Sequence, residues 1–130
     1  MIKDTLAAWH DCVETKNAEK LHALLHEEAV FHSPVVHTPQ QGREITHTYL
    51  MAAFTVLNGD EFTYVREIAG ARDAVLEFTT TLDGILINGV DIIRWGEDGR
   101  IIDFKVMIRP LKAINLVHQK MAAMLELVPT

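Results

Sequence analysis

The sequence is poor in the residues that bind phosphate or cross-link a chain. Lysine and arginine number 12 against 18 aspartates and glutamates, a formal net charge of −6. No basic cluster stands ready to neutralise phosphates, so neither nucleic acid nor a membrane surface is an expected partner. The single cysteine, Cys12, has no partner for an intrachain disulfide and excludes two-cysteine metal motifs. No run approaches the roughly 18 consecutive apolar residues of a membrane span. The N-terminus lacks the apolar stretch of a secretion signal, which makes the cytoplasm the expected compartment. There is no internal repeat, low-complexity tract or linker. What is present is ordinary globular material, 48% hydrophobic and 23% charged, in a chain of 130 residues. That length supports one domain over 1–130 with a real buried core.

The first half reads as helical. Ile2, Leu6, Trp9 and Val13 recur at helical spacing over residues 2–15, with Cys12 near the same stripe. Asn17 has the chemistry of an N-cap for a short second helix with Leu21, Leu24 and Leu25 on its apolar face. A strand from Ala29 to Ser33 stops at Pro34, and Pro34–Gly42 reads as a loop. A third helix spans about Arg43–Leu57 before Asn58-Gly59, with Ile45, Tyr49 and Ala53 on the side expected to face a sheet. Four strands follow: Phe62–Ile68, Ala74–Leu82, Leu86–Trp95 and Ile101–Arg109. Asp83-Gly84 and Asp98-Gly99 mark hairpin turns between them. Residues 111–127 complete the pattern as a closing helix. Helices followed by an antiparallel meander predict an α+β fold with helices packed on one face of a curved sheet.

The last hairpin fixes which way its acid points. Ile102, Phe104, Val106 and Ile108 alternate with Asp103, Lys105 and Arg109, so the apolar set faces the core. A two-residue turn at Asp98-Gly99 sets Trp95 opposite Ile102, Ile93 opposite Phe104 and Asp91 opposite Val106. Arg94 then meets Asp103 on the outer face. A four-residue loop keeps the same faces, whereas a three-residue turn would swap them and bury the Arg94 guanidinium, which costs more than burying a carboxyl able to stay protonated. Asp91 is therefore expected to point inward. On an apolar face its pKa rises, making it a neutral hydrogen-bond donor or a base near neutral pH. The same pattern also fits a structural aspartate satisfied by a backbone amide or a helix side chain.

Glu28-Ala29-Val30-Phe31-His32-Ser33-Pro34-Val35, followed by Pro39 and Gly42, resembles the base-bearing segment of bacterial ketosteroid isomerases. Val90-Asp91-Ile92-Ile93-Arg94-Trp95, running into Asp98-Gly99-Arg100-Ile101, resembles their acid-bearing strand and hairpin. More broadly, nearly the whole chain is similar to the nuclear transport factor 2-like superfamily, which includes SnoaL-like polyketide cyclases and limonene epoxide hydrolases. The resemblance implies a cystatin-like cone, a curved antiparallel sheet with helices over its concave face, and frequently a homodimer. It places Asp91 on the isomerase's protonated acid in the oxyanion hole. Trp9 falls on the tyrosine that completes that hole and Ser33 on the proton-moving aspartate. Phe104, Val106 and Ile108 fall on pocket-lining positions. The departures are chemical: serine without an activating partner is no base at neutral pH, and an indole N–H is not a phenol. The position of the epoxide hydrolases' last-strand catalytic aspartate holds Val106.

Other residues have a functional and a plain reading. His37, just after Ser33, is a candidate replacement base, while most loop histidines are simply solvated. His32 alternates away from Ser33, toward the outside or a partner subunit. His22 and His26 have the i, i+4 spacing of a helical metal pair, though no third ligand is evident, so no metal or cofactor is expected. Tyr49 offers a hydroxyl to a ligand or packs in the core, and Trp9 is placed for either role too. Arg109 ends the last strand, where an acid across a dimer would suit it. Three functions stay open. One is an isomerase- or cyclase-type enzyme acting on an apolar carbonyl compound through Asp91 and His37. In it Trp9, Ser33, Tyr49, Phe104, Val106 and Ile108 line the pocket. The second is a non-catalytic binding protein for a small apolar ligand; the third is a protein-interaction module, marked by an exposed apolar patch.

Overall fold

The computed structural model describes residues 1–126, and residue 127 of the expected closing helix lies outside them. Four helices and six strands follow in order: α1 (Thr5–Thr15), α2 (Ala18–Leu24), β1 (Leu25–His32), β2 (Gln40–Gln41), α3 (Arg43–Leu57), β3 (Thr63–Ala69), β4 (Asp73–Leu82), β5 (Ile85–Trp95), β6 (Ile101–Arg109) and α4 (Leu111–Glu126). The strands form one sheet in the order β2-β1-β6-β5-β4-β3. The meander β3 to β6 is antiparallel throughout, as its turn residues demand. β1 returns to lie parallel to β6, which makes the whole sheet mixed. The sheet curves without closing, and the helices cover its concave face. The architecture is the α+β cone expected from sequence.

Local chemistry explains the element boundaries. Asp4 caps α1 by accepting from the Ala7 amide at 3.0 Å, so that helix starts later than its apolar stripe implied. Ile2 belongs instead to an extended lead-in whose amide donates to the Asp98 carbonyl at 2.8 Å. Asn17 caps α2 as its side chain predicted, accepting from the Lys20 amide at 3.0 Å. The helix stops at Leu24, and Leu25 joins β1 while remaining fully buried. His26 is thereby on a strand, so the helical His22–His26 pair does not exist. His22 bonds Glu44 at 2.8 Å, and His26 Nδ1 accepts from the Glu28 amide at 3.0 Å.

On α3 the buried stripe is Thr46, Leu50, Phe54 and Leu57. Ile45, expected inward, is 38% exposed, because Thr46 takes the inner position and bonds the Ala29 carbonyl at 3.1 Å. Tyr49 and Ala53 sit beside that stripe, over the cavity.

The faces of the β5–β6 hairpin agree with the sequence reading, but for a different reason. The Gly99 amide donates to the Gly96 carbonyl, and the Gly96 amide to the Arg100 carbonyl, both at 3.0 Å. The turn proper is thus the three residues Glu97, Asp98 and Gly99, not two. In an unbroken ladder that turn would point Arg94 inward. A bulge between the Arg94–Asp103 and Trp95–Ile101 pairs absorbs Ile102 as an extra residue and restores the faces. Ile101 is consequently the fully buried residue and Ile102 only partly so. Beyond the bulge Ile93 pairs with Phe104 and Asp91 with Val106. Gly99 fits here twice over: its φ is +82°, and a Cβ would lie 2.3 Å from the Ile2 carbonyl oxygen.

Candidate functional site

The cavity lies between the concave face of the sheet and helices α1, α3 and α4, with a volume of about 180 Å³. Its wall is almost wholly apolar. A dry cavity of about 150 Å³ lined by aliphatic and aromatic groups is enough for a benzene ring, so this one has room for at least a single ring. Phe104 packs on Trp9 with ring centroids 4.8 Å apart, and Phe54 packs on the same indole at 5.6 Å. Phe31 stacks near Phe104 and meets Tyr49 edge-on at 5.4 Å. Each of the lining residues expected from sequence, Trp9, Ser33, Tyr49, Phe104, Val106 and Ile108, has atoms on this wall, together with Asp91.

Asp91 points inward and is 6% exposed. Its position follows from β5, where Ile87, Gly89, Asp91 and Ile93 alternate inward. Gly89 makes room beside it: Phe78 pairs directly with Gly89, and a Cβ there would lie 2.4 Å from the Phe78 ring. Across β4, Tyr64 reaches over this gap and donates its hydroxyl to Asp91 Oδ2 at 2.5 Å. The Trp9 indole in turn donates to the Tyr64 oxygen at 3.1 Å. Among the described residues no hydrogen bond reaches the other carboxyl oxygen, Oδ1. Burial pushes the Asp91 pKa up to about 7, and the Tyr64 hydrogen bond only partly offsets it. The Tyr64 phenol is itself pushed well above its ordinary pKa, first by burial and then by the adjacent carboxylate. At neutral pH the site therefore holds a carboxyl near its midpoint beside a phenol that keeps its proton.

Tyr64 is the residue that sequence reasoning missed. It sits in the predicted third strand, but its partner is two strands away. The register that aligns them depends on a bulge at Val65, between the Tyr64–Phe78 and Arg66–Glu77 pairs. An aromatic at a strand position beside the pocket was the available signal. Part of the cavity lining was also overlooked: Val35 and Val36 after β1, and His118, Met121 and Leu125 of α4.

Two sequence candidates are placed differently from their functional readings. His37 is exposed and off the wall. Pro34, Val35 and Val36 line the cavity, and the chain leaves toward β2 before His37 is reached. Ser33 does line the cavity, but its oxygen accepts from the Val35 amide at 3.0 Å and the Val36 amide at 3.3 Å. Its hydroxyl shapes the turn, with no basic partner to activate it. His32 faces outward as expected and meets Asp103 at 2.8 Å. Arg109 donates to Asn88 within its own hairpin at 2.9 Å. Among the described residues no group of three His, Cys, Asp or Glu side chains is placed to hold a metal, and no helix is long and apolar enough to cross a membrane.

A cone of sheet and helices around an apolar cavity that buries an acid, Asp91, defines the cystatin-like, ketosteroid isomerase-like class. Residues 6–104 match the SnoaL-like domain, and the chain belongs to that family. A steroid delta-isomerase from Pseudomonas aeruginosa is 38% identical with a TM-score of 0.88, over 94% of this chain and 89% of that one. A protein with a cystatin-like fold from Silicibacter pomeroyi is 30% identical with a TM-score of 0.85, over 94% and 85%. A nuclear transport factor 2-like protein from Mesorhizobium loti shares the fold at 18% identity, with a TM-score of 0.70 over 82% and 88% of the two chains. Among curated proteins there is no match.

Proposed function

We propose that the protein takes a small apolar carbonyl compound into this cavity and acts on it as an isomerase- or cyclase-type enzyme, with Asp91 moving the proton. The observation that carries the reading is the cavity's one buried acid, held near its midpoint with Oδ1 left over for a ligand. A carboxyl poised near neutral pH both gives and accepts protons without a large cost in either direction. In an isomerisation Oδ1 of the carboxylate takes a proton from the carbon beside the carbonyl. The C–H pair becomes a carbon–carbon double bond and the carbonyl π pair moves onto oxygen. Return of the proton to another carbon restores the carbonyl, with no net oxidation and no co-reactant. The 38% identity to a steroid delta-isomerase supports the class.

Ser33 favours a second reading. With a turn-forming serine where the resembling isomerases carry their base, Asp91 acts alone, and a protein that binds the compound without turning it over needs nothing more. Proton exchange separates the two. Incubation with cyclohex-3-enone in heavy water, followed by NMR, is expected to show deuterium entering beside the carbonyl with the native protein and not with Asp91→Asn. Binding without exchange establishes the second reading, and unchanged binding and exchange in Asp91→Asn overturns both. The same proposal includes a cytoplasmic location and the homodimer implied by the resemblance; a monomer mass in sedimentation equilibrium would remove the dimer.

A further inference from the structure

Trp9 bonds to Tyr64 and Tyr64 bonds to Asp91, so one hydroxyl joins an indole to the buried acid. An indole N–H donates and never accepts. At 3.1 Å from the Tyr64 oxygen, Trp9 therefore fixes that oxygen as an acceptor, and the single phenol proton is committed to Asp91 Oδ2. The direction of the chain is set at its first member. The Trp9 ring is held to this task by Phe104 and Phe54 packed against it.

We infer that Trp9 is a positioning residue for Asp91: by donating to Tyr64 it holds the phenol proton on Oδ2 and leaves Oδ1 as the oxygen that carries or receives a proton on the cavity side. The inference rests on the reading of Asp91 as the ligand-facing group and adds what orients it. Two consequences follow. The Tyr64 hydroxyl is fully engaged and donates nothing to a ligand. The neutral acid carries its proton on Oδ1, because Oδ2 already faces a donor, so a ketone oxygen is met by the neutral form and a ligand hydroxyl by the carboxylate.

The unmodified protein provides the first test, because its two tryptophans act as probe and reference. Trp95 does not line the cavity. In nitrogen–proton spectra from about pH 5 to about pH 9, the Trp9 indole signal is expected to move with the midpoint of the Asp91 carboxyl carbon, about 7, while Trp95 stays still. Trp9→Phe keeps a ring and removes the N–H, and is expected to raise the Asp91 midpoint by a few tenths of a pH unit as the phenol becomes a weaker donor. Tyr64→Phe removes the bond to the carboxylate itself and is expected to raise the midpoint by about one to two pH units. In the Tyr64→Phe protein, Trp9→Phe should then add nothing. A Trp9 indole that ignores the Asp91 titration overturns the inference, as does a Trp9→Phe shift that persists at full size without Tyr64. Neither result depends on a ligand. An Asp91→Asn protein with unchanged ligand binding would instead remove the proposed function and leave the chain's polarity standing.

Discussion

Asp91 and Asp103 lie on adjacent strands, a few residue pairs apart in one ladder, and point to opposite faces of the sheet. Each receives a short side-chain hydrogen bond, Asp91 from Tyr64 at 2.5 Å and Asp103 from His32 at 2.8 Å. Their surroundings differ. Asp103 keeps 39% of its side-chain surface in water beside a basic partner, whereas Asp91 is enclosed by aromatic rings with only a neutral phenol for company. Water and a hydrogen-bonding imidazole make a carboxylate cheap; a dry wall makes the same group hold its proton.

Removing the aromatic wall is the heaviest blow to the inner face. Phe104 is 1% exposed and touches both Trp9 and Phe31, so Phe104→Ala is expected to cost about 3–5 kcal/mol in urea unfolding. An equal cost for Met107→Ala, on the exposed side of the same strand, would erase the contrast between the faces.

The acid itself sets the next effect, read through pH. Its folded pKa of about 7 lies above the ordinary value of 3.8, so between them the unfolded chain gives up a proton that the folded chain retains. The stability contributed by the neutral acid is whole below about pH 4 and is lost as pH rises through about 7, on the order of 4 kcal/mol in all. Among the described residues, the other ionisable side chains lining the same cavity are Tyr64, Tyr49 and His118. Unfolding curves across this window should fall more steeply with pH for the native protein than for Asp91→Asn; parallel curves would mean that Asp91 is solvated.

A smaller effect probes the gap that admits Phe78. Gly89→Ala puts a Cβ 2.4 Å from the Phe78 ring and 2.7 Å from the Met107 carbonyl, and is expected to destabilise by about 1–3 kcal/mol. Because Phe78 also packs edge-on against Tyr64, the Asp91 midpoint should shift with any displacement of the ring, and a stability loss that leaves the midpoint fixed would separate packing from the site. The least is expected outside: Asp103→Asn should change stability by less than about 1 kcal/mol, since the His32 pair is partly solvated.

The β5–β6 hairpin shows how much of this was legible. Alternation placed Asp91 opposite Val106 on the inner face, and the structure agrees. The inferred two-residue turn was wrong, yet burial of Arg94 would have been so costly that a bulge at Ile102 delivers the same faces. Facing is an energetic demand, and the local route to it is negotiable. Ile45 and His37 went astray for a related reason. A helix stripe or a loop position shows what can be buried, but the packing of Thr46 on β1 and the path of Val35–Val36 decide what is.

By itself the sequence determined the class of fold, the face on which Asp91 lies and an apolar wall around it, because periodicity and turn chemistry act over a few residues. Only the tertiary structure decided the company that Asp91 keeps. Tyr64 arrives from two strands away through a bulge, and Trp9 from a helix at the other end of the chain. A hydrogen bond is a matter of tenths of an ångström, and no local pattern in a sequence carries that precision across a sheet.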